Sequence, residues 1–369
     1  MARPKMTKTR KTVPTKSYVG KLYVGYVPLI DAAPLIVAQE FGLFDKYGVQ
    51  VRLQRELGWA SIRDKVVFGE LQAAHAPAGL VFSAQLGIRC QQRDCVTGLV
   101  INSHGNAITI SKKLFDAGVV NAKGMATRIS LESKKRSYTF GTVSMVSSHY
   151  FLLTQWLKSG GINPDKDVRV VVLPPSLMAV NMKEGNIDGF CAGEPWNSLT
   201  ALEGVGVIIN TSEELAPGHP EKVLLASREF VDNYRTEYTA MGAAILEACE
   251  ICSKEENFSE IAKLLSHRSY LNVKESVVSD SLSGRLPKKR KNSTTHKDFI
   301  VFYDDQANAP LAKKATWVWR NLEEGVLYPY LQEKEVKDML EQTFRMDLFY
   351  EMEQQVKEVK NADRQTLLA

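Results

Sequence analysis

Strands and helices alternate between residues 22 and 87, and this pattern restricts the chain to a narrow group of folds. Residues 22–27 and 49–53 have the two-residue periodicity of strands. Pro34 begins a helix between them, and Ser61 is predicted to be the N-cap of the helix that follows. Alternation at this spacing predicts a parallel sheet with helices on both faces.

A second unit of about 90 residues, beginning near Tyr138, repeats this layout. Ser147 or Ser148 is predicted to cap its first helix, and Gly160-Gly161 to end it. Ligands of open α/β sheets bind beyond the carboxyl ends of the strands, where helix N-termini favour anions. Two such units facing each other would suit a clamp for a small anion.

The remainder of the chain has a different pattern. From residue 236 onwards the periodicity predicts mainly helices, whereas the polar stretch 112–135 is predicted to be a loop. Residues 270–311 are predicted to be irregular, and a segment of that length tends to carry function or to wrap a surface. We interpret the basic run 287–291 within it as a solvated loop.

The net charge of +5 is unevenly distributed. Residues 1–17 carry six Lys or Arg and no acid, so the rest of the chain has a net charge of −1. The body is therefore nearly neutral, and direct nucleic-acid binding is not expected. Residues 1–17 are predicted to form a disordered tail that acts as a solubilising arm or binds a partner.

Segments for export or membrane insertion are not evident. The basic start is not followed by the apolar stretch of a secretory signal, and no apolar run approaches the ~18 residues of a membrane span. The sequence therefore predicts a cytoplasmic protein. The alternative is a periplasmic protein whose export signal has been removed.

Motifs of common enzymes are absent. The sequence has no Gly-x-Ser-x-Gly elbow, no Walker A loop and no His-Glu-x-x-His, and its six histidines are spaced singly. We therefore predict a binding protein and not an enzyme, with no metal site and no cofactor.

Seven stretches, in order along the chain, carry a resemblance to a known family. They are Asp31-Ala32-Ala33-Pro34-Leu35-Ile36-Val37-Ala38, Trp59-Ala60-Ser61-Ile62-Arg63-Asp64-Lys65, Gly105-Asn106-Ala107-Ile108-Thr109, Gly160-Gly161-Ile162-Asn163-Pro164-Asp165-Lys166-Asp167-Val168, Asn181-Met182-Lys183-Glu184-Gly185-Asn186-Ile187-Asp188-Gly189-Phe190, Gly193-Glu194-Pro195-Trp196-Asn197 and His219-Pro220-Glu221-Lys222. The chain resembles the solute-binding proteins of nitrate and bicarbonate ABC importers over roughly residues 20–350. The resemblance implies the α/β type II periplasmic-binding-protein fold, in which two lobes enclose a ligand cleft.

The resemblance also implies how the chain is divided. Residues 18–130 together with 235–369 are expected to form lobe 1, which includes the C-terminal helices. Residues 131–234 are expected to form lobe 2. The hinge is expected where the chain passes between the lobes, near residues 130–137 and 224–235.

Five ligand-binding residues are implied by the family's motifs. They are Trp59, Asn106, His149, Gly193 and Lys222. Each also has a structural interpretation: a core aromatic for Trp59, a turn residue for Asn106, a half-buried histidine for His149 and a surface lysine for Lys222. Glu194 is interpreted as a structural cap or hinge partner.

Lys222 favours nitrate or nitrite among the family's ligands. In the family, bicarbonate binders place an acid near this position, whereas nitrate binders keep Lys. Nitrate has three acceptor oxygens and no proton to donate, so its site should contain donors and positive charge without a carboxylate directed at the ion.

Two roles follow from the resemblance and the missing signal. The first is a cytoplasmic nitrate/nitrite sensor that controls a soluble RNA-binding antiterminator of nitrate assimilation, as one branch of the family does. The alternative is the solute-binding subunit of a nitrate or bicarbonate ABC importer, which delivers the ion to a membrane permease.

Overall fold

The structure, a computed structural model, describes residues 17–132, 136–287, 294–304, 306–325 and 333–368. Almost all of the predicted basic tail lies outside these residues, as does most of the basic run 287–291. Nothing further is concluded about either segment.

The first part of the chain has the strand–helix alternation predicted from the sequence. Its elements are β1 (Leu22–Tyr26), α1 (Ala33–Glu40), α2 (Leu43–Lys46), β2 (Val51–Arg55), α3 (Trp59–Val67), β3 (Ala73–Pro77), α4 (Gly79–Leu86) and β4 (Cys95–His104). The prediction that Ser61 caps α3 is wrong. Gly58, with extended backbone, is the N-cap, and Ser61 in the first turn donates its hydroxyl to the Gly58 carbonyl at 2.8 Å.

The middle of the chain forms a second α/β unit. Its elements are β5 (Asn106–Ser111), α5 (Lys112–Asp116), α6 (Ala122–Glu132), β6 (Tyr138–Thr142), α7 (Ser148–Ser159), β7 (Val168–Val172), α8 (Met178–Lys183), β8 (Gly189–Gly193), α9 (Trp196–Leu202), β9 (Gly206–Thr211) and α10 (Ser212–Leu215). Ser147 caps α7 as predicted, accepting from the Tyr150 N–H at 3.4 Å. The predicted loop 112–135 is wrong, because Ser111 caps α5 and Met125 buries one face of α6.

The last third of the chain is mainly helical, as predicted. Its elements are β10 (Pro220–Ser227), α11 (Arg228–Asn233), α12 (Arg235–Ser253), α13 (Phe258–Ser266), α14 (Glu275–Leu282), β11 (Arg285–Leu286), β12 (Thr294–Thr295), β13 (Ile300–Val301), α15 (Ala312–Gly325), α16 (Glu333–Thr343) and α17 (Met346–Leu368). The stretch 270–311 is less irregular than predicted, since α14 lies within it. None of the helices in the described ranges combines the length and apolar character needed to cross a bilayer.

Two mixed sheets form the centres of the two lobes. The first has the strand order β13-β4-β10-β3-β1-β2, with β1 parallel to β2 and β3, and with β10 antiparallel to both β3 and β4. The second has the order β7-β6-β8-β5-β9, in which β6 is parallel to β7 and β8 and β5 is antiparallel to β8 and β9. The carboxyl ends of the parallel strands in both sheets are therefore available to form a shared cleft.

The chain changes sheet at two points. It enters the second sheet at Asn106, which lies inside the predicted lobe 1, and returns to the first sheet at Pro220. The expected hinge positions do not coincide with these points, since residues 130–132 belong to α6 of the second unit and residues 224–227 belong to β10. The predicted domain boundaries themselves stay a prediction.

The two lobes are in close contact beside the cleft. At Gly79, the first residue of α4, an added Cβ would lie only 1.9 Å from the backbone oxygen of Val146, just before α7. In addition, the Ile30 N–H of the first lobe donates to the Glu194 carbonyl of the second at 2.9 Å. The structure is therefore a closed arrangement, and the absence of a side chain at Gly79 permits it.

Candidate functional site

A fully buried lysine lies between two carboxylates at the junction of the lobes. Lys222 Nζ donates to Asp31 Oδ2 and to Glu221 Oε1, each at 2.6 Å, and all three side chains are at most 2% exposed. Charged groups at this depth are stable only when they are paired, because desolvation of an isolated ion is very costly. We call Asp31, His75, Glu221 and Lys222 the charged cluster.

The first lobe supplies the charged cluster from three places. Asp31 lies in a short 3-10 turn after β1, and His75 lies in the buried strand β3 with its Nε2 2.9 Å from Asp31 Oδ1. Glu221 and Lys222 are consecutive residues of β10. Side chains of neighbouring strand residues normally point to opposite faces, yet these two contact each other, at a point where the pairing of β10 with β4 shifts register on both sides of Lys222.

The second lobe reaches the same cluster from strand ends. Asn106, at the start of β5, donates from Nδ2 to Glu221 Oε2 at 2.6 Å. His149, in the first turn of α7, has its Nε2 3.6 Å from Glu221 Oε1. Gly193, at the end of β8, pairs with Asn106, and an added Cβ would lie 3.6 Å from Asp31 Oδ2. Both lobes therefore enclose the cluster.

The ionisation of these groups gives the cluster a net negative charge. Burial by itself would raise the pKa of the Asp31 and Glu221 carboxyl groups, but Lys222 holds both below their ordinary values, that of Glu221 well below. Burial lowers the pKa of His149 to about 4 and also lowers the pKa of His75. With both histidines neutral at pH 7, Asp31, Glu221 and Lys222 sum to −1.

Several buried polar atoms next to the cluster have no hydrogen-bond partner. They include Trp59 Nε1 and both ring nitrogens of His149. Two further buried hydroxyls of the second lobe also have no partner: Ser148 Oγ, on the residue before His149, and Thr142 Oγ1, at the end of β6. Lys222 Nζ lies 5.3 Å from the centre of the Trp59 ring, so the cation and this indole belong to one site. Buried donors are rarely left unsatisfied, and several together indicate a place for a small polar ligand.

The five residues predicted from the sequence come together in the structure. Trp59 and Lys222 lie on the first-lobe side, and Asn106, His149 and Gly193 on the second-lobe side. Trp59, Asn106, His149 and Lys222 are all buried, which excludes the alternative of a surface lysine for Lys222. Their role as ligand contacts stays a prediction.

The sequence interpretation missed the acidic half of the site. Asp31 and Glu221, which were not predicted as site residues, both contact Lys222, whereas the expectation that no carboxylate is directed at the ion stays a prediction. Their signal was present, because each belongs to a motif that carried the resemblance. His219 was also missed, and its Nε2 lies 3.4 Å from Glu221 Oε2.

Glu194 has the structural role that was predicted for it. Its Oε2 accepts from the Ser198 N–H of α9 and from the Ser281 hydroxyl of α14, both at 3.2 Å. It therefore caps α9 of the second lobe and connects it to a helix that follows the return to the first lobe. Burial raises its pKa to about 7, well above the ordinary value of a glutamate.

Replacing Glu194 with glutamine is expected to remove a pH dependence of stability. Between pH 4.5 and 7 the folded protein retains a proton that the unfolded chain has lost, so the wild type loses stability as pH rises through this window. The loss amounts to about 3 kcal/mol at 1.36 kcal/mol per pKa unit. In urea denaturation, the free energy of unfolding of Glu194→Gln relative to that of the wild type should be higher at pH 8 than at pH 5. Glu203→Gln, at an exposed position, is the control, and an equal gain at both pH values would contradict the assignment.

Comparison with known proteins gives consistent results for sequence and structure. Residues 16–266 match the model of the NMT1-like family. The nitrate import ATP-binding protein NrtC of Synechocystis sp. is 36% identical over 337 residues, which cover 89% of this chain and 49% of that protein. The bicarbonate transport ATP-binding protein CmpC of the same organism is 37% identical over 300 residues, covering 80% and 44%. The chain thus spans about half the length of these curated relatives.

A solved structure matches the whole fold. The periplasmic nitrate-binding protein NrtA from Synechocystis PCC 6803 superposes with a TM-score of 0.85 at 25% identity, covering 90% of this chain and 88% of that chain. The predicted two-lobed periplasmic-binding-protein fold is therefore confirmed. The prediction that the chain is not an enzyme is also confirmed, since these relatives are named for binding and import.

Proposed function

This chain belongs to the NMT1-like family, and we propose that it binds nitrate or a closely similar small oxyanion between its lobes as the solute-binding component of an ABC importer. The observation that carries the proposal is the buried Lys222, with unpartnered N–H groups of Trp59 and His149 beside it. Unused donors enclosed in a buried site are what an acceptor-only ion requires, and Lys222, although paired with Asp31 and Glu221, adds a positive charge beside them.

The donors suit a flat ion with three oxygens. Trp59 Nε1–H is a donor only, neutral His149 can donate from one ring nitrogen, and the Thr142 and Ser148 hydroxyls can each donate. These groups come from both lobes, so an ion bound to all of them would join the lobes. That linkage explains how ligand binding would stabilise the closed arrangement.

Bicarbonate is the second candidate, and Glu221 is the observation that favours it. This carboxylate is ionised and accepts from Asn106 Nδ2 and Lys222 Nζ. Bicarbonate can donate its hydroxyl proton to such an acceptor, whereas nitrate has no proton and would meet a cluster of net charge −1. The names of the relatives include both ions, since NrtC is named for nitrate import and CmpC for bicarbonate transport.

The importer role is supported by these names, and the partner would be a membrane permease with its ATP-binding subunit. The chain has no Walker A sequence, so the ATP-binding function in the names is not transferred to it. The sensor role, with a soluble antiterminator as partner and a cytoplasmic location, stays a prediction from the sequence. Affinity purification with and without nitrate would separate the roles: an ABC permease supports import, and a soluble RNA-binding regulator supports sensing.

Calorimetric titration with nitrate, nitrite and bicarbonate tests the proposal. Binding of at least one of them with a Kd in the micromolar range, equivalent to about −8 kcal/mol, is expected. Sulfate at the same ionic strength is the control for general attraction of anions. Absence of heat with all three ions would refute the proposal, whereas binding of bicarbonate alone would select the second candidate.

Replacing Gly79 with alanine is expected to weaken oxyanion binding by about tenfold or more, ~1.4 kcal/mol. The added methyl would overlap the Val146 backbone oxygen in the closed arrangement, so the variant would favour an open one. Titration calorimetry measures the affinity, and small-angle scattering with saturating ligand measures the closure. Gly124→Ala is the matched control, because the same methyl within α6 would have its nearest neighbour at 3.5 Å. Unchanged affinity in Gly79→Ala would contradict the importance of this contact.

A further inference from the structure

A groove between α7 and α15 lies outside the charged cluster and spans the two lobes. α7 follows a strand of the second sheet, whereas α15 also packs against α4 of the first lobe. The groove has a volume of about 580 Å³, which is within the range of small-molecule sites. A ligand bound there would contact both lobes at once.

The groove is lined by an excess of positive charge. Lys158 on α7 and Lys313 and Arg320 on α15 face it together with a single acid, Glu324. Glu324 is 3.5 Å from Lys158, whereas Arg320 forms no ion pair with any residue in the described ranges. The net charge of the lining is +2, and its two cations on α15, Lys313 and Arg320, are seven residues apart, about 10 Å along the helix.

Aromatic contacts connect this groove to the charged cluster. Trp317 of α15 lines the groove, and its ring centre is 5.1 Å from that of His219. His219 Nε2 is in turn 3.4 Å from Glu221 Oε2. Trp317 and His219 therefore form a continuous contact from the groove to Glu221, which is hydrogen-bonded to Lys222.

We propose that the groove between α7 and α15 is a second anion site, which binds a phosphorylated small molecule carrying two or more negative charges. The planar guanidinium of Arg320 and the two lysine ammonium groups are the side chains that recognise phosphate oxygens. The separation of the cations favours an extended polyanion over a single small ion. Occupancy would fasten the lobes together near Gly79, since Phe151 of the groove lies 3.5 Å from the position of a Cβ added at that glycine.

A consequence for the oxyanion follows, and it rests on the proposed function. A ligand that binds the closed arrangement more tightly than the open one increases the affinity for any other ligand with the same preference. The polyanion is therefore expected to strengthen oxyanion binding by about threefold or more, and the oxyanion to strengthen polyanion binding by the same factor.

Titration of the full chain with sodium pyrophosphate at fixed ionic strength tests the second site. Binding is expected in the wild type, with a loss of about tenfold or more in Arg320→Ala and in Lys158→Ala. Arg52→Ala removes the same charge from an exposed position on β2 and is expected to leave binding unchanged. Absence of pyrophosphate binding, or an equal loss in Arg52→Ala, would overturn the proposal.

Nitrate and bicarbonate are then titrated with and without saturating pyrophosphate. A higher oxyanion affinity that disappears in Arg320→Ala supports the coupling, and an unchanged affinity overturns it. Failure of both oxyanions to bind refutes the proposed function, whereas the pyrophosphate titrations still decide the second site.

Discussion

Replacing Lys222 with methionine is expected to lower the free energy of unfolding by about 3–5 kcal/mol. The lysine is fully buried, and its removal would leave Asp31 and Glu221 as two adjacent carboxylates without their cation. Methionine has a similar length and fills the space, so the loss would arise from charge and not from a cavity. Urea denaturation at pH 7 measures the change.

The same variant is expected to weaken oxyanion binding by about 100-fold or more, ~2.7 kcal/mol. Removal of one partner from a buried, hydrogen-bonded charge pair commonly costs this much in binding. Lys183→Met, at an exposed position, is the control and should stay within ~0.5 kcal/mol of the wild type in stability. Asp31→Asn combined with Lys222→Met should regain part of the stability, because one unpaired charge is removed. A fully stable single variant would show that the carboxylates are not ionised.

Replacing Glu221 with glutamine is expected to raise the ratio of nitrate affinity to bicarbonate affinity by about tenfold or more. The substitution changes the net charge of the charged cluster from −1 to zero. Two like charges 4 Å apart repel by about 4 kcal/mol at an effective dielectric constant of 20, so either ion gains from the change. Bicarbonate alone also loses the ionised acceptor for its hydroxyl, and a charge-assisted hydrogen bond is about twice as strong as a neutral one.

Titration calorimetry of both ions with Glu221→Gln measures this ratio. Glu70→Gln, an exposed carboxylate of the first lobe, is the control for a change in the charge of the whole protein. An equal gain for nitrate and bicarbonate would mean that Glu221 does not accept the ligand's proton. Unchanged nitrate affinity would contradict the argument from net charge.

Much of the fold could be predicted from the sequence because its signals are local. The strand–helix alternation of residues 22–87 follows from periodicity, and Ser147 caps α7 as its position suggests. The resemblance to solute-binding proteins supplied Trp59 and Lys222, which periodicity alone would not distinguish from core or surface residues. Both lie in one buried site.

Local sequence patterns alone do not place the two carboxylates beside Lys222, for two physical reasons. Strand periodicity predicts the side chains of Glu221 and Lys222 on opposite faces, whereas in the structure they contact each other, where the pairing of β10 with β4 is irregular. Asp31 is 191 residues away from its partner Lys222 along the chain, and no local pattern encodes such a contact. The charge of the site therefore follows from tertiary structure.

The order of the strands also has a consequence for synthesis on the ribosome. All five strands of the second sheet are available once residue 211 has been made, whereas the first sheet must wait for β10 and β13. Domains tend to fold as units while the nascent chain emerges. The first lobe, whose synthesis begins first, is thus completed last. Asp31 remains without its partner Lys222 until more than half of the chain has been translated.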